Sequence, residues 1–132
     1  MRPHLAVART GDGACRVDVY RAGGGWCGCC RRHRRAPAAP PAPLLSITAA
    51  HGVGVQITGP RAARTFIPAR DIRGVFVHEA WLHCRVVATL AIDTGAARLT
   101  LPLEPAGFDI PLAQLGEAWR ALAGALDLAR NS

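Results

Sequence analysis

The sequence predicts an α+β domain, an antiparallel β-meander of about six strands covered by one C-terminal helix. Three observations predict it. Apolar and polar residues alternate in short runs between Leu45 and Leu103. Gly, Pro and Asp residues punctuate those runs. Beyond Glu104 the apolar spacing changes from 2 to 3 and 4.

The elements follow in order. Leu45, Ile47 and Ala49 alternate with Ser46 and Thr48, and His51-Gly52 closes this first strand. Val53, Val55 and Ile57 alternate with Gly54, Gln56 and Thr58, and Gly59-Pro60 closes the second. Thr65-Phe66-Ile67 is a third, stopped by Pro68, which cannot donate to a ladder. Ile72 to Val77 is a fourth, apolar on both faces and so central or covered. Arg85 to Ile92 is a fifth, with Val86, Ala88, Leu90 and Ile92 on one face, and Asp93-Thr94-Gly95 is a hairpin turn signal. Leu99, Leu101 and Leu103 alternate with Arg98, Thr100 and Pro102 as a sixth.

Leu112, Leu115, Trp119, Leu122 and Leu126 then form one helical stripe. Asp109 is the expected N-cap, with Pro111 in the first turn, and Arg130 in the last turn suits the helix dipole. Neither sheet nor helix buries its apolar side alone, so the helix is expected to cover the sheet. Strands followed by a single terminal helix is the order of a pleckstrin-homology-like roll, which by itself implies no function.

Composition divides the chain. It has 132 residues, room for one domain and a tail, and its net charge of +7 comes from 16 basic residues, all Arg, against 9 acids. Residues 1–44 hold eight of those Arg and two acids, net +6, whereas residues 45–132 hold eight Arg and seven acids, net +1. Gly23-Gly24-Gly25 and the Pro/Ala stretch from Ala36 to Pro43 interrupt any element there. Residues 1–44 are therefore expected to be a disordered basic tail and linker, with the folded domain at 45–130. The chain is too short for a TIM barrel. Its best apolar run, Val86 to Ile92, falls well short of the roughly 18 residues a spanning helix needs. Residues 1–12 carry charge with no apolar stretch after it, so no secretory leader is expected.

The tail carries one cluster, Trp26-Cys27-Gly28-Cys29-Cys30-Arg31-Arg32-His33-Arg34-Arg35. Cys27, Cys29, Cys30 and His33 match zinc in number, but their spacing is too tight for a usual structural site, and no metal is expected. Acylation of Cys27, Cys29 and Cys30 beside the Arg run would supply the two signals of stable membrane anchoring. A reduced, functionless cluster is the bland alternative, and it is preferred. Nucleic acid is disfavoured as a partner, because no aromatic interleaving or recognition module accompanies the Arg run.

No catalytic residue is expected in the domain. His78-Glu79, at the end of the fourth strand, would point to opposite faces and not meet on one substrate. His83 and Cys84 are read as solvated turn residues. Gly52-Val53-Gly54 lacks the third Gly and following helix of a dinucleotide site, so its glycines are assigned to a turn and a close strand crossing. No cofactor is implied. Phe66-Ile67-Pro68, Val75-Phe76-Val77, Trp81 and Trp119 together form a candidate contact patch for a protein or a membrane surface; for any one of them, ordinary core is the simpler assignment.

Taken in order, Gly52-Val53-Gly54-Val55-Gln56-Ile57-Thr58, Phe66-Ile67-Pro68, Ile72-x-x-Val75-x-Val77-His78-Glu79-Ala80 and the helix Pro111-Leu112-x-x-Leu115-x-x-Ala118-Trp119-x-x-Leu122 resemble the PIG-H family. Members of that family belong to the phosphatidylinositol N-acetylglucosaminyltransferase complex. The resemblance covers residues 45–130 and is carried by the ordered set, not by any one piece. It implies a non-catalytic subunit in the first step of GPI-anchor biosynthesis, the transfer of N-acetylglucosamine from UDP-GlcNAc to phosphatidylinositol. The implied partners are the catalytic glycosyltransferase and other members of the complex, at the cytoplasmic face of the endoplasmic reticulum membrane. Phe66, Ile67, Pro68, Val77, His78, Glu79 and Ala80 are the expected partner interface. Arg61, Arg64, Arg70 and Arg73 are the expected lipid-facing edge. Two departures stand out. His78 occupies the family's usual Asn position, and residues 1–44 stand where the family carries an apolar helical hairpin. The alternative is a stand-alone pleckstrin-homology-like lipid- or protein-binding module, with the same four arginines as its cationic pocket.

Overall fold

The structure is a computed structural model and describes residues 3–10, 13–20, 42–59, 63–95, 99–103 and 110–126. Eight strands and one helix lie within them. The strands are β1 (His4–Arg9), β2 (Cys15–Tyr20), β3 (Leu45–Ala50), β4 (Gly54–Thr58), β5 (Arg64–Pro68), β6 (Gly74–Leu82), β7 (Arg85–Asp93) and β8 (Leu99–Thr100), and the helix is α1 (Leu112–Leu126). The result is an antiparallel α+β domain, as expected. The strands form two sheets, one of order β1-β2-β3-β4-β5 and one of order β6-β7-β8, with a 3-10 turn at Ala69–Asp71 between them.

The six strands and the helix expected beyond residue 44 are present, the sixth only over Leu99 and Thr100 and not on to Leu103. The expectation of a structureless 1–44 segment is corrected at residues 4–9 and 15–20. Leu5 and Val7 alternate with exposed His4, Ala6 and Ala8, and Cys15, Val17 and Val19 alternate with Arg16 and Asp18. Registers of Leu5 with Val19, Val7 with Val17 and Val17 with Ile47 carry that alternation into the main sheet. The period of 2 is present in each run, but each is only six residues long and surrounded by Arg and Gly. Gly13, with φ of 82°, takes part in the intervening turn, which the Thr10 hydroxyl closes onto the Ala14 carbonyl at 3.1 Å. Residues 21–41, with the Cys cluster and most of the Pro-rich stretch, lie outside the described residues, as do Asp109 and Arg130.

The inner face of the larger sheet is Cys15, Val17, Val19, Leu45, Ile47, Ala49, Val55, Ile57 and Ile67, all buried. The smaller sheet adds Val75, Leu90 and Ile92 to the same core, and α1 adds Leu115, Ala118, Ala121, Leu122, Ala125 and Leu126. A fully buried Leu or Ile contributes roughly 1.5–3 kcal/mol against exposure. The buried helix face is turned from the expected stripe. Ala118, Ala121 and Ala125 lie inside, whereas Leu112 and Trp119 are exposed. Alanine on that face lets the helix approach the strands closely, and the large residues at its margin reach outward to the sheet edges.

Two side chains make that reach specific. The Trp119 indole Nε1 donates to the Val75 carbonyl of edge strand β6 at 2.6 Å. The Leu5 amide of edge strand β1 donates to Gln114 Oε1 at 2.9 Å. Each bond satisfies a backbone group that no strand pairs on that side. On β4, next to the opposite edge strand, Gly54 has φ of 141°, and a Cβ there would run into the Ile67 carbonyl oxygen. The close strand crossing expected at this glycine is therefore real.

Gly54→Ala is expected to destabilise the protein by on the order of 2 kcal/mol in urea unfolding. At Gly116 and Gly124 on the helix, an added Cβ would meet open space. Alanine at either position should stabilise by about 0.5–1 kcal/mol in the same measurement. Trp119→Phe keeps an aromatic ring and removes the bond to Val75, and should cost about 1 kcal/mol or slightly more.

Candidate functional site

The outer face of the larger sheet is polar at β2 and β3 and apolar at β5. Asp18 Oδ1 accepts from Arg16 Nε at 2.8 Å and from the Ser46 hydroxyl at 2.5 Å, and Arg16 Nη2 donates to Ser46 Oγ at 3.4 Å. The bond to Asp18 holds the Arg16 guanidinium still more firmly protonated than usual. The three side chains satisfy one another and tie β2 to β3. The Asp18 carboxylate that accepts from the hydroxyl is itself held by Arg16, and this closed set of bonds anchors one strand to the next.

The expected partner interface divides. Phe66 points outward from β5 and is 54% exposed. Ile67 points inward, pairs with Val55 and is buried. It is a core residue, and its place in the expected interface is corrected by the alternation of the strand. Pro68 is half-buried at the end of β5. Val77, His78, Glu79 and Ala80 lie in the other sheet, in the body of β6 and not at its end. Val77 packs against the core, His78 turns to the opposite face, where its ring lies 6.4 Å from Phe76 edge to face, and Glu79 is exposed. Phe66 and Glu79 are thus the two exposed members, one on each sheet.

The expected cationic edge is spread as well. Arg64 begins β5, and Arg70 and Arg73 follow its far end, so about 13 Å of strand separates the two groups. Arg70 lies at the limit of contact with Asp71, at 4.0 Å. The Arg73 side chain lies over Gly95, where a Cβ would strike it. Arg61, Cys27, Cys29 and Cys30 lie outside the described residues. Among the described residues, no group of three or more His, Cys, Asp or Glu side chains is placed to hold a metal, and no helix is long and apolar enough to cross a membrane.

Sequence reasoning missed the longest projecting element. The fourth strand continues past Val77 to Leu82, and β6 and β7 pair over nine positions from Gly74 with Asp93 to Leu82 with Arg85. A two-residue turn joins them, His83 and Cys84 both having positive φ, 46° and 64°. This is the conformation that Asn-Gly normally signals, and His-Cys carries no such mark. At the tip Trp81 faces Val86, and they are 78% and 54% exposed. Trp81 and the alternating face of the fifth strand were both legible. Their pairing depended on where the turn fell.

No protein-family model, no curated protein and no solved structure matches this chain.

The two described thiols should behave differently. Cys15 is buried beneath the Ala49 backbone, and burial pushes its thiol up from the ordinary range, whereas Cys84 is exposed at the hairpin turn. In a chain with Cys27, Cys29 and Cys30 changed to Ser, an aromatic disulfide reagent should titrate one thiol rapidly. The second should follow only on unfolding, about a hundredfold more slowly under native conditions.

Proposed function

We propose that this chain is a non-catalytic binding subunit of the complex that transfers N-acetylglucosamine from UDP-GlcNAc to phosphatidylinositol. Its partner is the catalytic glycosyltransferase, and its place is the cytoplasmic face of the endoplasmic reticulum membrane. The identity of the partner rests on the PIG-H resemblance alone. The docking surface rests on geometry, and one observation carries it: Phe66 stands more than half exposed on β5, the unpaired edge of the larger sheet. A solitary exposed aromatic in mid-strand is the form a binding anchor takes. The edge itself is guarded against strand addition, because it is five residues long, opens on Arg64 and ends on Pro68. Contact through the Phe66 side chain therefore fits better than extension of the sheet.

A second reading, a stand-alone pleckstrin-homology-like module, is favoured by the element order: two antiparallel sheets in sequence, followed by a helix packed on both. Its headgroup pocket would fall on Arg61, Arg64, Arg70 and Arg73. The separation of Arg64 from Arg70 and Arg73 favours an extended anionic surface over one compact headgroup.

The tagged full chain, purified from its native source in mild detergent, is expected to recover a UDP-sugar-dependent glycosyltransferase in near-equal amount. Phe66→Arg should lower that recovery about tenfold or more, with circular dichroism unchanged. If no glycosyltransferase is recovered, and the chain instead binds phosphoinositide vesicles selectively through Arg64, Arg70 and Arg73, the second reading replaces the first.

A further inference from the structure

We propose that the tip of the β6–β7 hairpin is a membrane-interface anchor, with Trp81 and Val86 entering the headgroup layer of an anionic bilayer. This inference is independent of the subunit reading, since a module of either kind would carry it.

The hairpin face that packs on the core at its base does not end with the core. Val75 with Ile92 and Val77 with Leu90 are inside or against it. Glu79 with Ala88 comes next on the same face, and Trp81 with Val86 is last. The exposures of 78% and 54% belong to this final pair, beyond the covered part. A two-residue turn keeps the end as narrow as two strands.

Three features select a bilayer over a protein as the occupant. The first is size. One Trp and one Val expose on the order of 200–300 Å², far less than the roughly 800 Å² that each partner buries in an ordinary protein interface. The second is depth. Glu79 lies two residues behind Trp81, about 7 Å along the strand, and a carboxylate at that level halts entry. The distance agrees with the roughly 5–10 Å to which interfacial segments sink. The third is charge. No acidic residue occurs between Glu79 and Asp93, and the whole chain carries +7. Tryptophan is also the side chain that settles at the headgroup boundary, its ring in the apolar layer and its N–H in the polar one.

Acyl-chain-brominated lipids test this directly. Trp26→Phe leaves Trp81 and Trp119 as the fluorophores, and Trp119 is held against β6 through Val75. The Trp26→Phe chain, bound to vesicles of phosphatidylserine and brominated phosphatidylcholine, is expected to lose about half of its emission. Trp26→Phe with Trp81→Phe keeps an aromatic ring at the tip and should show little quenching while remaining bound. Sedimentation with Trp81→Ala should show about three- to tenfold weaker binding than the parent. Equal quenching with and without Trp81 overturns the proposal. So does a bound chain with no quenching, which would assign attachment to charge alone. Failure of the parent chain to bind anionic vesicles also overturns it, and leaves a protein as the occupant of the tip.

Discussion

Two sheets with free edges and apolar inner faces do not close on each other without a third element, and α1 is that element. It packs chiefly on β1 and β6, the outermost strands on facing sides of the two sheets. Gln114 takes the Leu5 amide of one edge, and Trp119 gives its indole proton to the Val75 carbonyl of the other. The helix therefore fills the opening between the sheets with Leu115, Leu122 and three alanines, and fastens both rims with polar bonds. Neither contact is a neutral decoration, since a rim amide or carbonyl shielded by a helix and left unpaired costs about 1–3 kcal/mol.

The arrangement explains what could be read in advance. Residues 45–103 carry successive short alternations bounded by Gly and Pro, and these became strands at nearly the expected places. The helix was legible because its stripe is continuous, but its rotation was not. Hydrophobicity ranks Leu112 above Ala118, whereas the space between sheet and helix admits Ala118 and leaves Leu112 outside. The first two strands were missed because they stand apart from that series of strands, among Arg, Gly and Pro residues, and a few aliphatic side chains in such surroundings do not offset their own ordering entropy. β1 and β2 persist because Val17 and Val19 join a core already built by Leu45 and Ile47, and composition does not report that tertiary gain. A turn was expected at His83-Cys84, but its tight two-residue form was not legible, because two non-glycine residues hold a conformation that sequence usually signals with glycine.

The functional surfaces were legible as types and not as places. Phe66 was visible as an aromatic in a short strand, and its neighbour Ile67 looked equally available until alternation set one outward and the other into the core. Four arginines between 61 and 73 looked like one patch because they are close in sequence. A strand separates Arg64 from Arg70 and Arg73, and an extended strand carries close sequence neighbours far apart in space. The two exposed apolar features, Phe66 on one sheet and the Trp81 tip on the other, are separate surfaces with different chemistry. One is a flat edge flanked by cations, and the other is a narrow end with a carboxylate behind it.

The pairing of Val19 with Leu45 has a consequence for the stretch that carries Cys27, Cys29 and Cys30. β2 and β3 are neighbours in the sheet, so residues 21–41 leave one strand and return to the adjacent one. The basic segment is an insert closed at both ends, not a free end of the chain. The entropic cost of closing such a loop grows only logarithmically with length, so an insert of this size is a mild burden on the fold. Cutting it would free new termini there while the sheet still holds both pieces together. A bond made by its cysteines to a surface would tether the domain from between two neighbouring strands of its largest sheet, not from one end of the chain.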